Sequence, residues 1–300
     1  MKKFEKNVAQ CYSTWGKTYY DEYYSEKASY PPVHRDLLIR LLKEHSPKVV
    51  LDAGCGPASF LRDITHLGWE LYGFDLTPEM VQEGKRIIAE KRIVAERIWE
   101  GSVLNNDDFK NPTDKKSTYD AVVCSGVLPH IPEDSDQVVL QNIYNSLNAR
   151  GVALLEARNQ WFSLFTLNRY SYEFFEKELI RTDSLKDKLG AKDVEFKNAL
   201  EEIKHQFRMD LPPPRKGKQD EPGYDEVLSR THNPVQLKQQ MEQAGFQNIN
   251  IHFYHFHCLP PMFASRFPNQ FNELSLMLEN SQDWRGYFMA SAFIVSGIKS

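Results

Sequence analysis

Cysteine is scarce in this chain: Cys11, Cys55, Cys124 and Cys258 are the four present in 300 residues. No two of them form a C-x-x-C pair, which argues against a zinc ribbon. So few thiols, without a disulfide-framework spacing, suit a reducing compartment. Long apolar runs are missing too; no stretch reaches the roughly 18 residues of a membrane-spanning helix. The opening Met1-Lys2-Lys3-Phe4-Glu5-Lys6 lacks the ~7–15-residue apolar core of a secretory signal, so cytoplasm is the expected address and no membrane partner is expected. Neither sign of charge dominates: a net charge of -4 gives no whole-molecule attraction for nucleic acid, and none is expected as a partner. Internal repeats and low-complexity tracts are absent. The oligomeric state is not written in these features.

What remains is an ordinary globular composition, 41% hydrophobic and 26% charged, long enough for one large domain or a domain with an insertion. Residues 1–30 are rich in tyrosine and predict one or two helices covering an apolar surface, broken at Pro31-Pro32. Leu37, Leu38, Leu41 and Leu42 recur at helical spacing up to Ser46-Pro47. Val49-Val50-Leu51 then reads as a buried strand, and Phe60, Ile64 and Leu67 as a helix closed by Gly68. Leu71–Phe74 is a second strand ending at Asp75. Thr77-Pro78 starts a helix that runs to about Lys91, with Thr as N-cap and Pro in the first position. Further strands are expected at Arg97–Trp99, Tyr119–Cys124 and Gly151–Glu156, with a helix over 134–148 between the last two. Such alternation predicts an α/β fold with a doubly wound, mostly parallel sheet. Residues 160–232 break the rhythm and are too long for an ordinary connection. They are expected to form an inserted helical lid that contacts the acceptor. Asn233-Pro234 opens a helix ended by Gly245, followed by a strand through Ile249, Ile251, Phe253 and His255 and a closing strand over Tyr287–Ile298. The expected organisation is a helical cap over 1–47, a cofactor-binding core over 48–159, the lid over 160–232, and a C-terminal part of the core over 233–300.

The sharpest signal is Val49-Val50-Leu51-Asp52-Ala53-Gly54-Cys55-Gly56-Pro57. A strand delivers a carboxylate and then two glycines, which let backbone approach a ligand without Cβ interference. The helix behind them aims its first amides at that ligand. Asp75, at the end of the next strand, is placed to accept from both hydroxyls of a ribose. Binding groups at the carboxyl ends of adjacent strands define a nucleoside crevice. A nicotinamide dinucleotide is disfavoured: Ser59 stands where the third glycine of G-x-G-x-x-G belongs, and an anion at Asp52 suits a cationic amino-acid end better than a pyrophosphate.

With these residues the chain resembles the class I S-adenosylmethionine-dependent methyltransferases. The resemblance covers about residues 48–160. It rests on Leu51-Asp52-Ala53-Gly54-Cys55-Gly56, on Gly73-Phe74-Asp75-Leu76-Thr77-Pro78-Glu79-Met80, and on Tyr119-Asp120-Ala121-Val122-Val123-Cys124-Ser125-Gly126-Val127-Leu128-Pro129-His130-Ile131. It implies a seven-stranded sheet of order 3-2-1-4-5-7-6 with the seventh strand antiparallel. It also implies S-adenosyl-L-methionine as cofactor, its methionine end at Asp52, Gly54, Cys55 and Gly56 and its ribose at Asp75. Leu76 and Met80 would pack on the adenine, and Cys124, Ser125 and Leu128 would line the pocket after strand four. The family often carries an acidic residue after strand three to meet the adenine amino group; this chain offers Ser102, beside Val103. Ala58 replaces a third glycine of the first loop. Met80 and Cys124 read equally well as plain core.

Methyl transfer is an in-line displacement, so the protein must align the acceptor and exclude water. A base is needed only where the nucleophile carries a proton. His130 is the candidate base, with loop ordering as its alternative role. The expected acceptor is a small molecule methylated on oxygen or nitrogen; RNA or protein methylation and non-catalytic cofactor binding are the competing readings. Tyr12, Tyr20, Arg158, Tyr170 and His255 are the candidate acceptor contacts, followed by His205, Arg208, Arg230 and His232. The lid arginines hint at an anionic acceptor, against the plainer reading of a solvated face. In His252-Phe253-Tyr254-His255-Phe256-His257 two histidines share a strand face, but the third ligand a metal site needs is missing, so no metal is assigned.

Overall fold

The computed structural model describes residues 2–16, 18–25, 27–28, 30–182, 185, 193–210 and 227–300. One seven-stranded sheet organises them, in the order β3-β2-β1-β4-β5-β7-β6. Its strands are β1 (Val49–Ala53), β2 (Glu70–Asp75), β3 (Ile98–Glu100), β4 (Tyr119–Cys124), β5 (Leu147–Arg158), β6 (Phe246–Phe256) and β7 (Ala290–Lys299). The first five pair in parallel, while β7 runs antiparallel between β5 and β6. This is the expected doubly wound topology.

Strand β1 lies inside the sheet, between β2 and β4, and is buried along its whole length. Alternation splits its side chains: Val49, Leu51 and Ala53 join one core layer and Val50 the other. Helix α3 (Val33–His45) presents Leu37, Leu38, Leu41 and Leu42 to the second layer. Each leucine removed from water contributes about 1.5–3 kcal/mol, so a helix with one apolar stripe is held firmly. Helices α4 (Ser59–Ile64) and α5 (Pro78–Glu90) cover the same face. Helix α6 (Asp136–Ser146) and the helix Pro234–Gln243 cover the other. Register places Asp52 opposite Gly73 of β2 and Val123 of β4, at the ends where the strands open outward.

The residues before the sheet form α1 (Lys3–Tyr12) and α2 (Tyr19–Tyr23). After β5 come the helices Phe162–Thr166 and Arg169–Phe174, a wider helical turn over Phe175–Ile180, and the helix Asp193–Lys204. Asn168 caps the second of these, its side chain accepting from the Tyr170 N–H at 3.0 Å. Asn233 does the same for its helix, accepting from Val235 and Gln236. Thr77 holds the N-cap position of α5 without capping through its hydroxyl. The closing strand starts at Ala290, not Tyr287, because the Asp283 carboxylate accepts from the Arg285 N–H at 2.9 Å and starts a helical turn over Gly286–Met289. Among the described residues no helix is long and apolar enough to cross a membrane.

Candidate active site

The loop after β1 is pinned before it meets any ligand. The N–H groups of Gly54 and Cys55 both donate to the Phe74 carbonyl, at 2.8 and 2.9 Å. Gly54 adopts φ +90, and a Cβ there would collide with a Val127 methyl. Gly56 adopts φ +53, and a Cβ there would meet nothing within 4 Å. One glycine is required by close packing, and the other faces open space. The two Asp75 carboxylate oxygens accept from the Gly56 N–H at 2.8 Å and the Thr77 N–H at 2.9 Å. Asp75 therefore ties the loop to the start of α5 and still keeps lone pairs for a ligand. Burial raises its pKa, and those two backbone donors act against the rise.

Asp52 is a different kind of carboxylate. It is 3% exposed, and among the described residues no hydrogen bond or ion pair reaches it. Burial first, and the neighbouring charge of Asp75 second, push its pKa up to about 8. A buried acid without a charge partner takes up a proton, and a cation placed beside it would restore the charged form.

Asp75 and the glycine loop open onto a cleft of about 720 Å³, counting its mouth. Of the cofactor candidates, Gly54, Gly56, Asp75, Leu76, Met80, Ser102, Val103 and Ser125 line it, together with His130 and Tyr12. Asp52, Cys55, Cys124 and Leu128 do not line it; they are buried behind its wall, at 3%, 5%, 0% and 0% exposure. The Cys55 thiol packs against Gly73, where a Cβ would come within 2.9 Å of the sulfur. Burial pushes the Cys55 and Cys124 thiols up, so both stay neutral small hydrophobes.

Sequence reasoning missed Glu5 and Tyr19, which also line the cleft. Glu5 comes from α1, is 5% exposed, and accepts from the Ser102 hydroxyl at 2.5 Å. A carboxylate thus stands at the end of β3 after all, delivered by a helix 97 residues earlier in the chain. A glutamate on an otherwise amphipathic helix carries no local signal of this. Tyr19 was available in the tyrosine cluster, but which ring faces inward depends on how α2 docks.

His130 is held at both ring nitrogens. Nδ1 lies 2.7 Å from the Leu228 carbonyl oxygen and Nε2 lies 2.9 Å from the Tyr12 hydroxyl. A carbonyl only accepts, so Nδ1 carries the hydrogen and Nε2 accepts the tyrosine proton. Burial pushes the Tyr12 hydroxyl well above its usual range.

The remaining candidates separate. His255 lines a second cavity of about 790 Å³, counting its mouth, which shares Tyr19, Ser125 and Gly126 with the cleft. Arg158 and Tyr170 line a third, of about 1130 Å³ with its mouth, between β5 and the helices that follow it. Tyr20 lines none of these; it donates to Asp63 at 2.9 Å and lies 3.7 Å below the Arg62 guanidinium. Arg208 pairs with Asp210 and Arg230 with Asp136; buried His232 has its Nε2 3.8 Å from the same Asp136 carboxylate and no hydrogen bond to either ring nitrogen among the described residues. His205 ends the helical stretch near Lys204, outside the three cavities. His252 is buried between Ser296 and Gln282, at 2.9 Å from each. Among the described residues no group of three metal-ligating side chains occurs.

Residues 20–251 match a protein family described as "Methyltransferase domain". The chain is 25% identical to the demethylmenaquinone methyltransferase of Geobacillus sp. (strain WCH70) over 74% of its own length and 80% of that protein. It is 26% identical to the uncharacterized protein RP028 of Rickettsia prowazekii (strain Madrid E), over 35% of this chain and 41% of that one. In fold it is similar to a magnesium protoporphyrin IX methyltransferase from Synechocystis PCC 6803 with bound SAH, at a TM-score of 0.53 and 13% identity, covering 99% of this chain and 100% of that one. A cleft at the carboxyl ends of β1 and β2, the strand order and the match over most of the chain agree: this chain belongs to the class I S-adenosylmethionine-dependent methyltransferases.

Proposed function

We propose that this enzyme transfers the methyl group to a small-molecule acceptor, at oxygen or nitrogen, in the space between the donor cleft and the N-terminal helices. One observation carries the reading. The donor cleft and the second cavity share Tyr19, Ser125 and Gly126 in their walls, and the second is lined by five tyrosines and two histidines. A partly enclosed, largely aromatic space suits a ligand of modest size. The demethylmenaquinone named for the 25% identical relative is also a small molecule.

The cofactor fits these residues. The partnerless Asp52 suits the ammonium of its methionine end, and the open face of Gly56 leaves room for its backbone. In the proposed arrangement Asp75 takes the ribose, Leu76 and Met80 pack on the adenine, and Val103, Ser102 and Glu5 border its amino edge. When bound, S-adenosylmethionine supplies a carbon already activated by its sulfonium. The protein's own task is alignment and exclusion of water. For a hydroxyl acceptor, Tyr12 and His130 provide a proton path: Tyr12 Oη takes the acceptor proton as its own passes to His130 Nε2. The Leu228 carbonyl fixes the ring in the tautomer that leaves Nε2 free to accept. In this reading residues 1–47 act as a cap, 48–159 and 233–300 form the core, and 160–232 act as a lid, of which 183–184, 186–192 and 211–226 lie outside the described residues.

The test is a fractionation. Purified enzyme is incubated with methyl-tritiated S-adenosylmethionine and separated cell fractions: small molecules, total RNA and total protein. Label is expected in the small-molecule fraction. Label in RNA or protein would overturn the acceptor class, and binding of cofactor with no transfer to any fraction would favour a non-catalytic protein.

A further inference from the structure

We infer that Arg230 is a positioning residue for His130. It clamps residues 228–232 onto the turn that carries the histidine, so that the Leu228 carbonyl holds the imidazole toward Tyr12. The inference rests on the reading that Tyr12 and His130 carry the acceptor's proton away. Arg230 brackets that turn. Its main-chain N–H donates to the carbonyl of Pro129, the residue before His130, at 3.0 Å. Its Nε donates to the carbonyl of Ile131, the residue after, at 2.5 Å. An outer guanidinium nitrogen donates to the Asp136 carboxylate at the start of α6. Asp136 is 1% exposed, so the ion pair is a buried one, and removing either partner alone would strand the other. Two residues upstream of Arg230, the Leu228 carbonyl meets His130 Nδ1 at 2.7 Å.

The turn itself does not aim the ring. The His130 N–H donates to the Val127 carbonyl at 2.9 Å and the Ile131 N–H to that of Leu128 at 3.1 Å, which fixes the main chain and leaves the side-chain torsions open. Ring orientation comes from the groups at its nitrogens, and the bond at one nitrogen sets what the other presents. A carbonyl can do this only where its own backbone is held. Residues 228–231 belong to no helix or strand. From the side of β5, the His232 N–H donates to the Arg158 carbonyl at 2.8 Å and the Arg158 guanidinium donates to the Ser229 hydroxyl. Against the His130 turn, the hydrogen bonds among the described residues are those of Arg230 and the one at Leu228 itself. Arginine suits the task because its planar fork presents its donors in fixed directions, whereas a lysine ammonium is a point charge on a flexible stem. None of residues 228–232 lines the donor cleft, so the effect is separate from cofactor binding.

The experiment uses the full chain, its histidines labelled with heavy nitrogen, saturated with S-adenosylhomocysteine and read by proton–nitrogen NMR of the imidazole rings. The His130 signals are those that vanish in His130→Gln. In the wild-type chain they should show one fixed tautomer, protonated at Nδ1. Arg230→Lys keeps a positive charge beside Asp136. In it the fixed form should be lost, the His130 signals moving to the averaged positions of an imidazole that exchanges between tautomers. The His252 signals, set by Ser296 and Gln282, should stay in place, and S-adenosylhomocysteine affinity should be unchanged. Should Arg230→Lys fold poorly, Arg230→Gln combined with Asp136→Asn removes the ion pair as a unit and is expected to give the same averaged signals. A fixed, Nδ1-protonated His130 in the folded variant overturns the inference. So does an equal disturbance of His252, because Arg230 would then serve the fold at large. A wild-type His130 that is protonated at Nε2 alone, or already averaging, would bring down the Tyr12–His130 proton path first, which keeps the two failures apart.

Discussion

The donor cleft and the second cavity, a chamber lined by five tyrosines, adjoin at Ser125, yet their frames are built by different means. The first loop of the cleft is set by main-chain bonds. Two glycines at positive φ, a loop bonded to the Phe74 carbonyl and a carboxylate bonded to two backbone amides fix its shape. The chamber is mostly side chain, drawn from α2, from the Pro31-Pro32 turn, from β5 and from β6. A backbone-built site holds its geometry whatever surrounds it, so it suits a ligand that does not change. A side-chain-built site is altered one residue at a time, so it suits a ligand that differs between related enzymes.

The sharpest way to break this contrast is Gly54→Val. A Cβ at that position meets Val127, and φ +90 is a conformation side chains rarely adopt, a strain of roughly 1–3 kcal/mol before the collision is counted. Cofactor affinity measured by calorimetry should fall at least ~100-fold, or roughly 2.7 kcal/mol, with a lowered melting temperature. Tyr254→Phe in the chamber removes a hydrogen bond to the Glu156 carboxylate and should cost about 1.5–3 kcal/mol of stability while leaving cofactor affinity unchanged. Comparable losses of cofactor affinity in the two variants would erase the distinction between the sites.

The same contrast explains what was legible beforehand. β1, β2 and β4 with their loops were readable because each carries its function within a few consecutive residues: Asp52 to Gly56, Asp75 to Met80, Cys124 to His130. A parallel sheet followed from the alternation of elements, and its strand order from the family resemblance of these loops. The candidates that proved to be buried support, Cys55, Cys124 and Leu128, sit one residue from lining positions, and local pattern does not separate wall from backing. Contacts made across long sequence distances were hidden. Glu5 meets Ser102, Tyr254 meets Glu156, and Leu228 meets His130 only because the tertiary fold brings them together. Tyr19 and Tyr20 are neighbours in one cluster, and only the docking of α2 decides that the first faces the cleft while the second faces α4.

A second test sets ligand binding against stability at Asp52. Its folded pKa, about 8, lies above the usual value of 3.8, so the empty native state holds a proton that the unfolded chain releases. Stability from this group is complete below the unfolded pKa and is lost as pH rises through the folded one. Above that, the empty enzyme carries an unpaired buried charge. Asp52→Asn should therefore melt higher than wild type at pH about 8 without cofactor, by an amount equivalent to roughly 1–3 kcal/mol. It should bind S-adenosylhomocysteine more weakly at the same pH. Differential scanning calorimetry with and without ligand reads both effects. A variant that is less stable and equally tight would mean that Asp52 has a structural partner and no cation to meet.

The smallest effect is expected where the tyrosine cluster turns away from both cavities. Tyr20→Phe removes the hydrogen bond to Asp63, 2.9 Å long in the native chain, and keeps the ring beneath Arg62. Asp63 retains Arg35 at 3.6 Å. The loss should be about 0.5–1.5 kcal/mol in unfolding free energy, with cofactor affinity and turnover unchanged. Tyr19→Phe, one residue earlier, removes a hydroxyl at the junction of cleft and chamber, and it should alter acceptor KM while barely moving stability. Urea unfolding and steady-state kinetics on the pair read the two effects separately. The reverse result, with Tyr20 governing KM and Tyr19 governing stability, would mean that α2 docks on its opposite face and that the chamber wall is made of other rings.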